Sequence, residues 1–302
     1  MTDETLDDPR YEEYREAGDI LSTVMNEARE RVEVGAKQLD VAEYAEERIR
    51  ELGGEPAFPV NISVDEEASH ATSGADDETE FGEEMVCLDI GVHVDGWIAD
   101  AAVTVDLSDN PELVAAAEEA LDAAVETIAP GVHTGEVGAA IEDAIRDRGY
   151  TPILNLSGHG VAQFDAHTDP SVPNRGLDRG VELEVGDVIA VEPFATDGQG
   201  KVGEGNDAEI YELAGSGGRS VRNRQARQLL ETIEEEYGQL PFALRWLDDQ
   251  RAKMLLRRLQ RQGVVESHPV LKEDAGTLVS QAEHTLIVTE DGCEVPTTGI
   301  FS

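Results

Sequence analysis

The chain has 302 residues, of which 65 are Asp or Glu and 23 are Lys or Arg, giving a formal net charge of −42. Hydrophobic residues at 40% supply enough apolar material for a large core, while the acidic balance excludes a nucleic-acid binder that works by phosphate attraction. No apolar stretch approaches the ~18 residues of a membrane span, Met1 to Asp8 is acidic and does not read as a secretory signal, and Cys87 and Cys293 are too few for a disulfide framework.

A reduced, cytoplasmic, globular protein is expected. The acids are spread along the whole chain, and only Lys37, Lys201, Lys253 and Lys272 are lysines. That pattern suits a salty cytoplasm, where screening removes the self-repulsion of so many like charges.

In chain order, residues 9–36 place Ile20, Leu21, Val24, Met25, Ala28 and Val32 at helical spacing. Residues 40–52 predict a second helix, capped by Asp40 and stopped by Gly53-Gly54. Residues 57–64 are apolar and extended, residues 85–105 read as a hairpin, and 111–129 and 135–148 as two further helices. Segments 153–158, 188–196, 208–213, 278–289 and the C-terminus read as strands. Residues 219–266 look like a small helical subdomain inserted before 278–289. Its expected helical stretches are 219–237, 240–249 and 251–262, followed by a Gly263 stop and a short strand at Val264 and Val265.

Sliding the chain by 96 residues aligns Gly35 with Gly131, Val41 with Val137, Glu46 with Glu142, Ile49 with Ile145, Arg50 with Arg146, Gly53 with Gly149 and Pro56 with Pro152, without a gap. This predicts two related α+β halves packed about a pseudo-two-fold axis. A cleft between the halves is the natural place for a site.

The hairpin MVCLDIGVHVDGWIADAAVTV has a two-residue turn signal at Asp95-Gly96. With that turn, Val94 pairs with Trp97, Asp89 faces Ala102 and Asp100 faces Gly91. Asp89 and Asp100 then lie on one face as diagonal neighbours. Two carboxylates among apolar neighbours are costly unless a cation lies between them; two solvated strand aspartates in an acid-rich chain are the alternative. His159 in NLSGHGV, Glu192 in DVIAVEPFAT and Glu283 in LVSQAEHTLIV also sit in apolar, strand-like settings. Each alone reads as easily as a solvated residue. Together the five offer four carboxylates and an imidazole, a set that suits two divalent ions such as Co, Mn, Fe or Zn and, lacking thiolates, argues against a closed structural zinc site.

The order of these residues resembles the dinuclear metallopeptidases of the pita-bread fold. The strings FPVNISVDEEASH, LDIGVHVDGWIAD, NLSGHG, EPFAT and QAEHTLIV resemble the type II methionine aminopeptidases of archaea over about residues 11–295. The resemblance implies an α+β pita-bread fold in which helices pack on a curved antiparallel sheet, with 1–302 as one catalytic domain and 219–266 as the type II insertion. It implies that Asp89 binds one metal, that Asp100 and Glu283 bridge two, and that His159 and Glu192 complete the set. His70 and His167 match two substrate-facing histidines, and Phe58 a wall of the methionine pocket. The implied activity is removal of N-terminal methionine before a small second residue, with Glu192 as proton shuttle. An Xaa-Pro peptidase and a non-catalytic ribosome-associated relative are the alternatives. Nascent N-termini are the expected partners of a monomer with no nucleic-acid or membrane partner, and transient ribosome contact is compatible with that.

Thr168-Asp169 and the trimmed loop 71–84 depart from the family pattern and bear on longer substrates. Cys87 and His284 read as structural, and His268 as a neighbour of the pocket. His93 and His133 have no evident partner.

Overall fold

A computed structural model of the chain describes residues 6, 8–215 and 221–301. Most of Met1 to Asp8, read above as acidic, and the start of the expected insertion at 219–220 lie outside the described residues.

Helix α1 (Arg10–Arg29) and helix α2 (Gln38–Glu51) bury Leu21, Val24, Met25, Val41, Ala45 and Ile49 against a sheet made of Glu55–Pro56, Asn61–Val64 and the hairpin Met85–Val94/Trp97–Asp106. Helices α3 (Pro111–Thr127) and α4 (Thr134–Asp147) do the same in the second half. There Leu113, Leu121, Ile141 and Ile145 meet Ile189, Val191, Leu286 and Val288. The five-stranded sheet of that half runs Gly292–Glu294, His284–Thr289, Val188–Val191, Ser157–Ala162, Asp165–Pro173. One stripe of each helix and one face of each sheet are apolar, so each half closes its own core. A third cluster, with Tyr11, Tyr14, Phe58, Ile98, Ala190 and Ile287, joins them.

The repeat is legible in the backbone. Helices α2 and α4 are each 14 residues long. Each is entered from a left-handed glycine, Gly35 at φ +88° and Gly131 at φ +86°, and left through another, Gly53 at φ +97° and Gly149 at φ +83°. Only glycine adopts that region without strain, so these four positions fix both helix ends.

The structure corrects several local expectations. Helix α1 ends at Arg29 and not near residue 36. Asp40 lies inside the first turn of α2, where it favours the helix dipole, and Lys37 occupies the cap position. The strand expected at 153–158 begins at Ser157, and the C-terminal strand ends at Glu294. Residues 240–249 are not helical. Phe242 and Ala243 pair with Tyr211 and Ile210, and one 3-10 turn follows at Leu244–Trp246. A short apolar run does not distinguish strand from helix by periodicity, and here Phe242 is stacked between Tyr211 and Tyr237 at 6.2 and 5.2 Å. Strand Asp165–Pro173 was not expected, because its prolines and polar residues read as loop; it forms the edge of its sheet, where proline is tolerated.

Helices α5 (Arg224–Glu236) and α6 (Ala252–Arg261) pack on Ile210–Leu213, Phe242–Ala243 and Val265–His268 around a separate core of Leu229, Ile233, Phe242, Leu255, Leu256 and Leu259. Among the described residues no helix is long and apolar enough to cross a membrane.

The scarce cations are shared. Arg15 contacts Glu12 and Glu294, Arg48 contacts Glu27 and Glu51, and Arg148 contacts Glu112 and Glu119. Most acids therefore repel their neighbours through solvent over a Debye length of roughly 30 Å at 0.01 M salt, against about 3 Å at 1 M. The melting temperature should rise by about 10 °C between 0.1 and 2 M KCl, ~6 kcal/mol for a chain of this size. A melting temperature that does not change with KCl, followed by circular dichroism, would contradict this reading of the charge.

Candidate metal centre

The hairpin has the register expected from its turn: Val94 pairs with Trp97, Asp89 with Ala102 and Gly91 with Asp100. Asp89 and Asp100 therefore point to one face as diagonal neighbours. Glu192 and Glu283 arrive differently. The runs 188–196 and 278–289, expected as unbroken strands, both break. Val188–Val191 pairs with His284–Ile287 in the five-stranded sheet, whereas Phe194–Thr196 pairs with Val279–Gln281 in a separate three-stranded sheet. Pro193 cannot donate to a ladder, so pairing lapses there. Its carbonyl accepts the Ala282 N–H at 3.2 Å, and the Glu283 N–H reaches the Ala102 carbonyl at 3.0 Å. Both glutamates thus sit where the chain crosses between sheets, over the hairpin carboxylates. Thr285 Oγ1 fixes Asp100 from below, accepting its N–H at 2.7 Å and donating to its carbonyl at 2.9 Å.

His159 completes the group. Its Nε2 lies 4.0 Å from both Asp100 Oδ2 and Glu192 Oε1. Its Nδ1 is 3.2 Å from the Gly160 carbonyl, which accepts only from an Nδ1–H tautomer; the Nε2 lone pair then faces the carboxylates. Asp100, His159 and Glu283 each offer a ligand atom within 4.8 Å of the others.

The carboxylates have few donors. Gln281 Nε2 donates to Glu283 Oε2 at 3.1 Å and reaches Glu192 Oε2 at 3.5 Å. Among the described residues, Asp89 Oδ1, Asp100 Oδ1 and Glu283 Oε1 are buried without a hydrogen-bond partner. Burial first, and the neighbouring carboxylates second, hold Asp100 and Glu283 well above the usual carboxylate range. Burial and Asp89 do the same for Glu192, and burial pushes Asp89 up to about 7. Burial, with help from His167, takes His159 down to about 3. Orphaned carboxylate oxygens beside a neutral imidazole are a donor set that divalent cations fit.

The group lines a cavity of about 250 Å³. Phe58, Leu156, Phe194, Ile210, Pro241 and Leu271 form its apolar lining; His70, His167 and His268 line it as well. The His159 and His167 rings are 4.2 Å apart, and His70 meets His268 edge-on at 5.2 Å. His70 Nδ1 donates to the Pro269 carbonyl at 3.3 Å, and burial lowers its pKa to about 4. Phe58 lies directly over Gly91, where a Cβ would come within 2.2 Å of its ring; any side chain at 91 would drive the ring away from the hairpin.

All eight residues singled out from the sequence thus line one cavity. Two others act on the group without having been assigned a role. Gln281 stands two positions before Glu283 on the same face, a signal the sequence carried. Asn174 Nδ2 donates to the Glu192 and Leu156 carbonyls at 3.2 Å each, and nothing local in the sequence marks it. Outside the cavity, His284 is held by Thr297 at 2.7 Å, His93 Nδ1 accepts the Gly96 N–H at 3.2 Å, His133 sits at the start of α4, and Cys87 is buried.

Residues 12–226 match the model of metallopeptidase family M24. The chain is 50% identical over 293 residues to the methionine aminopeptidase of Archaeoglobus fulgidus, covering 97% of this chain and all of that one. Among solved structures it superposes on a methionine aminopeptidase from Thermotoga maritima with a TM-score of 0.70 at 24% identity, covering 96% of this chain and 97% of that one. It also superposes on a thermophilic Arx1 with a TM-score of 0.83 at 19% identity, covering 94% and 89%. The last two show a shared fold, the pita-bread arrangement of two related halves.

The raised carboxylates make stability depend on pH. Their folded pKa values lie above the unfolded ones, so the stability they contribute is present at low pH and lost as pH rises through the folded values. The lowered histidines work the other way, but their contribution is complete about one unit above the unfolded value of ~6.5, near pH 7.5. In chelator-treated protein at molar KCl the melting temperature should therefore fall from pH 7.5 to pH 9, and Mn²⁺ should raise it more at pH 9. A melting temperature that rises over this range would contradict the arrangement.

Proposed function

The chain belongs to metallopeptidase family M24, and on that premise we propose that it is a methionine aminopeptidase that clears the initiator methionine from nascent chains when the second residue is small. The observation that carries this reading is the buried group of Asp89, Asp100, His159, Glu192 and Glu283 lining one cavity with Phe58, Leu156, Phe194 and Ile210, in a chain half identical to a methionine aminopeptidase. The Xaa-Pro and non-catalytic alternatives lack that support, because the likeness at high identity is to a methionine aminopeptidase and all five ligand types are present.

Asp89, Asp100, His159, Glu192 and Glu283 would hold two divalent cations drawn from Co, Mn, Fe or Zn. When bound, such ions supply Lewis acidity and a water acidified to near neutral pH. The residues do the rest. The acidic group receives the substrate's free α-amino group, which restricts cleavage to the bond after the first residue. Phe58 and its apolar neighbours take the methionine side chain. His167, kept neutral by burial, donates to the carbonyl oxygen as charge develops on it. His70 keeps its Nδ1–H on Pro269, which leaves Nε2 to accept from the scissile amide. Glu192 carries the proton from the attacking water to the leaving amine.

Residues 219–266 are read as the insertion that supplies one wall of the pocket within a single catalytic domain. A cytoplasmic monomer in a salt-rich cell, meeting nascent chains as they emerge, accounts for the composition.

Purified protein in molar KCl with Mn²⁺ should cleave Met-Ala-Ser and leave Ala-Pro-Ser intact. His167→Ala should lower kcat by about 10²–10³, the usual loss for one such donor, with metal content unchanged. Preference for the Ala-Pro peptide would overturn the assignment, and loss of metal in His167→Ala would show that His167 is a ligand.

A further inference from the structure

Among the described residues, a buried ion pair lies outside the carboxylate group. Glu46 on α2 and Arg245 in the turn Leu244–Trp246 are in contact, with side chains 4% and 3% exposed. The two residues gather four segments. Glu46 Oε1 accepts the Val60 N–H at 3.2 Å, and Glu46 Oε2 accepts Trp246 Nε1–H at 2.8 Å. Arg245 Nη1 donates to Thr72 Oγ1 at 2.8 Å and to the Ser73 carbonyl at 3.1 Å. Thr72 in turn donates to the Val60 carbonyl at 2.7 Å.

These segments carry separate parts of the cavity lining. Val60 stands between Phe58 and Asn61, Thr72 and Ser73 follow His70, and Arg245 lies four residues after Pro241; Phe58, Asn61, His70 and Pro241 all line the cavity. The repeat supplies a contrast. Glu142, the partner of Glu46 in the second half, also accepts a loop N–H, from Gly176 at 3.0 Å. It pairs with Arg146 one turn on, and its side chain stays 26% exposed. Both glutamates hold a loop. Only the first also receives a long-range arginine and is buried by it.

Burying an ion pair is a poor route to stability, since apolar residues of similar volume commonly do as well or better; its advantage is a fixed geometry. We infer that Glu46 and Arg245 are positioning residues that set the width of the methionine pocket by locking the Pro241 wall to the Phe58–His70 wall. The inference rests on the methionine aminopeptidase reading and adds how that pocket is held to size.

The test compares wild type, Glu46→Ala, Arg245→Ala and the apolar pair Glu46→Met with Arg245→Leu, at molar KCl with Mn²⁺. Cleavage of Met-Ala-Ser and Leu-Ala-Ser, metal content and melting temperature are measured for each. The single variants should raise KM for Met-Ala-Ser about tenfold with kcat within about threefold, and the Met-to-Leu ratio of kcat/KM should fall about tenfold, within the range that one pocket shape difference commands. The apolar pair should melt near wild type yet keep the lost selectivity. Metal content should not change. An apolar pair with wild-type KM and selectivity would overturn the positioning role and leave the ion pair as a structural contact. Variants that lose metal and kcat together, with selectivity intact, would overturn it too. A wild type that cleaves no methionyl peptide would overturn the functional assignment, and the positioning role with it.

Discussion

Four carboxylates forced into one buried cavity are the constraint around which the rest of this structure is arranged. In water they would separate. Here Asp89 and Asp100 are fixed on one face of a paired hairpin, while Glu192 and Glu283 sit in two chain breaks that face it. Gln281 donates to Glu283 and reaches Glu192, and among the described residues three carboxylate oxygens find no hydrogen-bond partner. A fold that spends its central contact on repulsion has a standing deficit that cations relieve. The two helical layers, each with its own apolar core, supply the stability that holds the group in place.

The architecture explains why such a group can form. Two halves with the same helix–glycine–strand plan pack so that their sheets meet. The first half brings the hairpin aspartates, and the second brings His159 and both glutamates. Pro241 and His268, beside the strands that α5 and α6 cover, complete the lining. Phe58 approaches the hairpin at Gly91 because no side chain stands there. The apolar and acidic residues of the lining come from several segments of both halves, and their spacing depends on how those segments are tied together.

Much of this was legible in the residues. The Asp95-Gly96 turn sets the pairing of the hairpin, and pairing sets the faces of Asp89 and Asp100. The 96-residue repeat gave both halves, because a left-handed glycine at each helix end leaves little freedom. Other parts depended on contacts that no local pattern reveals. The breaks at Glu192-Pro193 and Ala282-Glu283 look like continuous strands in the sequence, because their flanks pair, though with different sheets. The edge strand that carries His167 is polar and contains two prolines, so it reads as loop. Residues 240–249 have helical composition, but Phe242 is claimed by a stack with Tyr211 and Tyr237. Asn174, which orients the Glu192 backbone, and Glu46, which receives Arg245, act at long range through ordinary-looking positions.

The central claim is that the buried carboxylates exist to hold catalytic cations. The most direct measurement is a titration of chelator-treated protein with Mn²⁺ at molar KCl, following bound metal and Met-Ala-Ser cleavage together, in wild type and in Asp100→Ala and Glu283→Ala. The account expects wild-type cleavage to appear only as metal binds. Either substitution should abolish both cleavage and tight binding of the pair, since two close cations then lose one of their anions. Full cleavage in the chelated protein, or in Asp100→Ala, would contradict it.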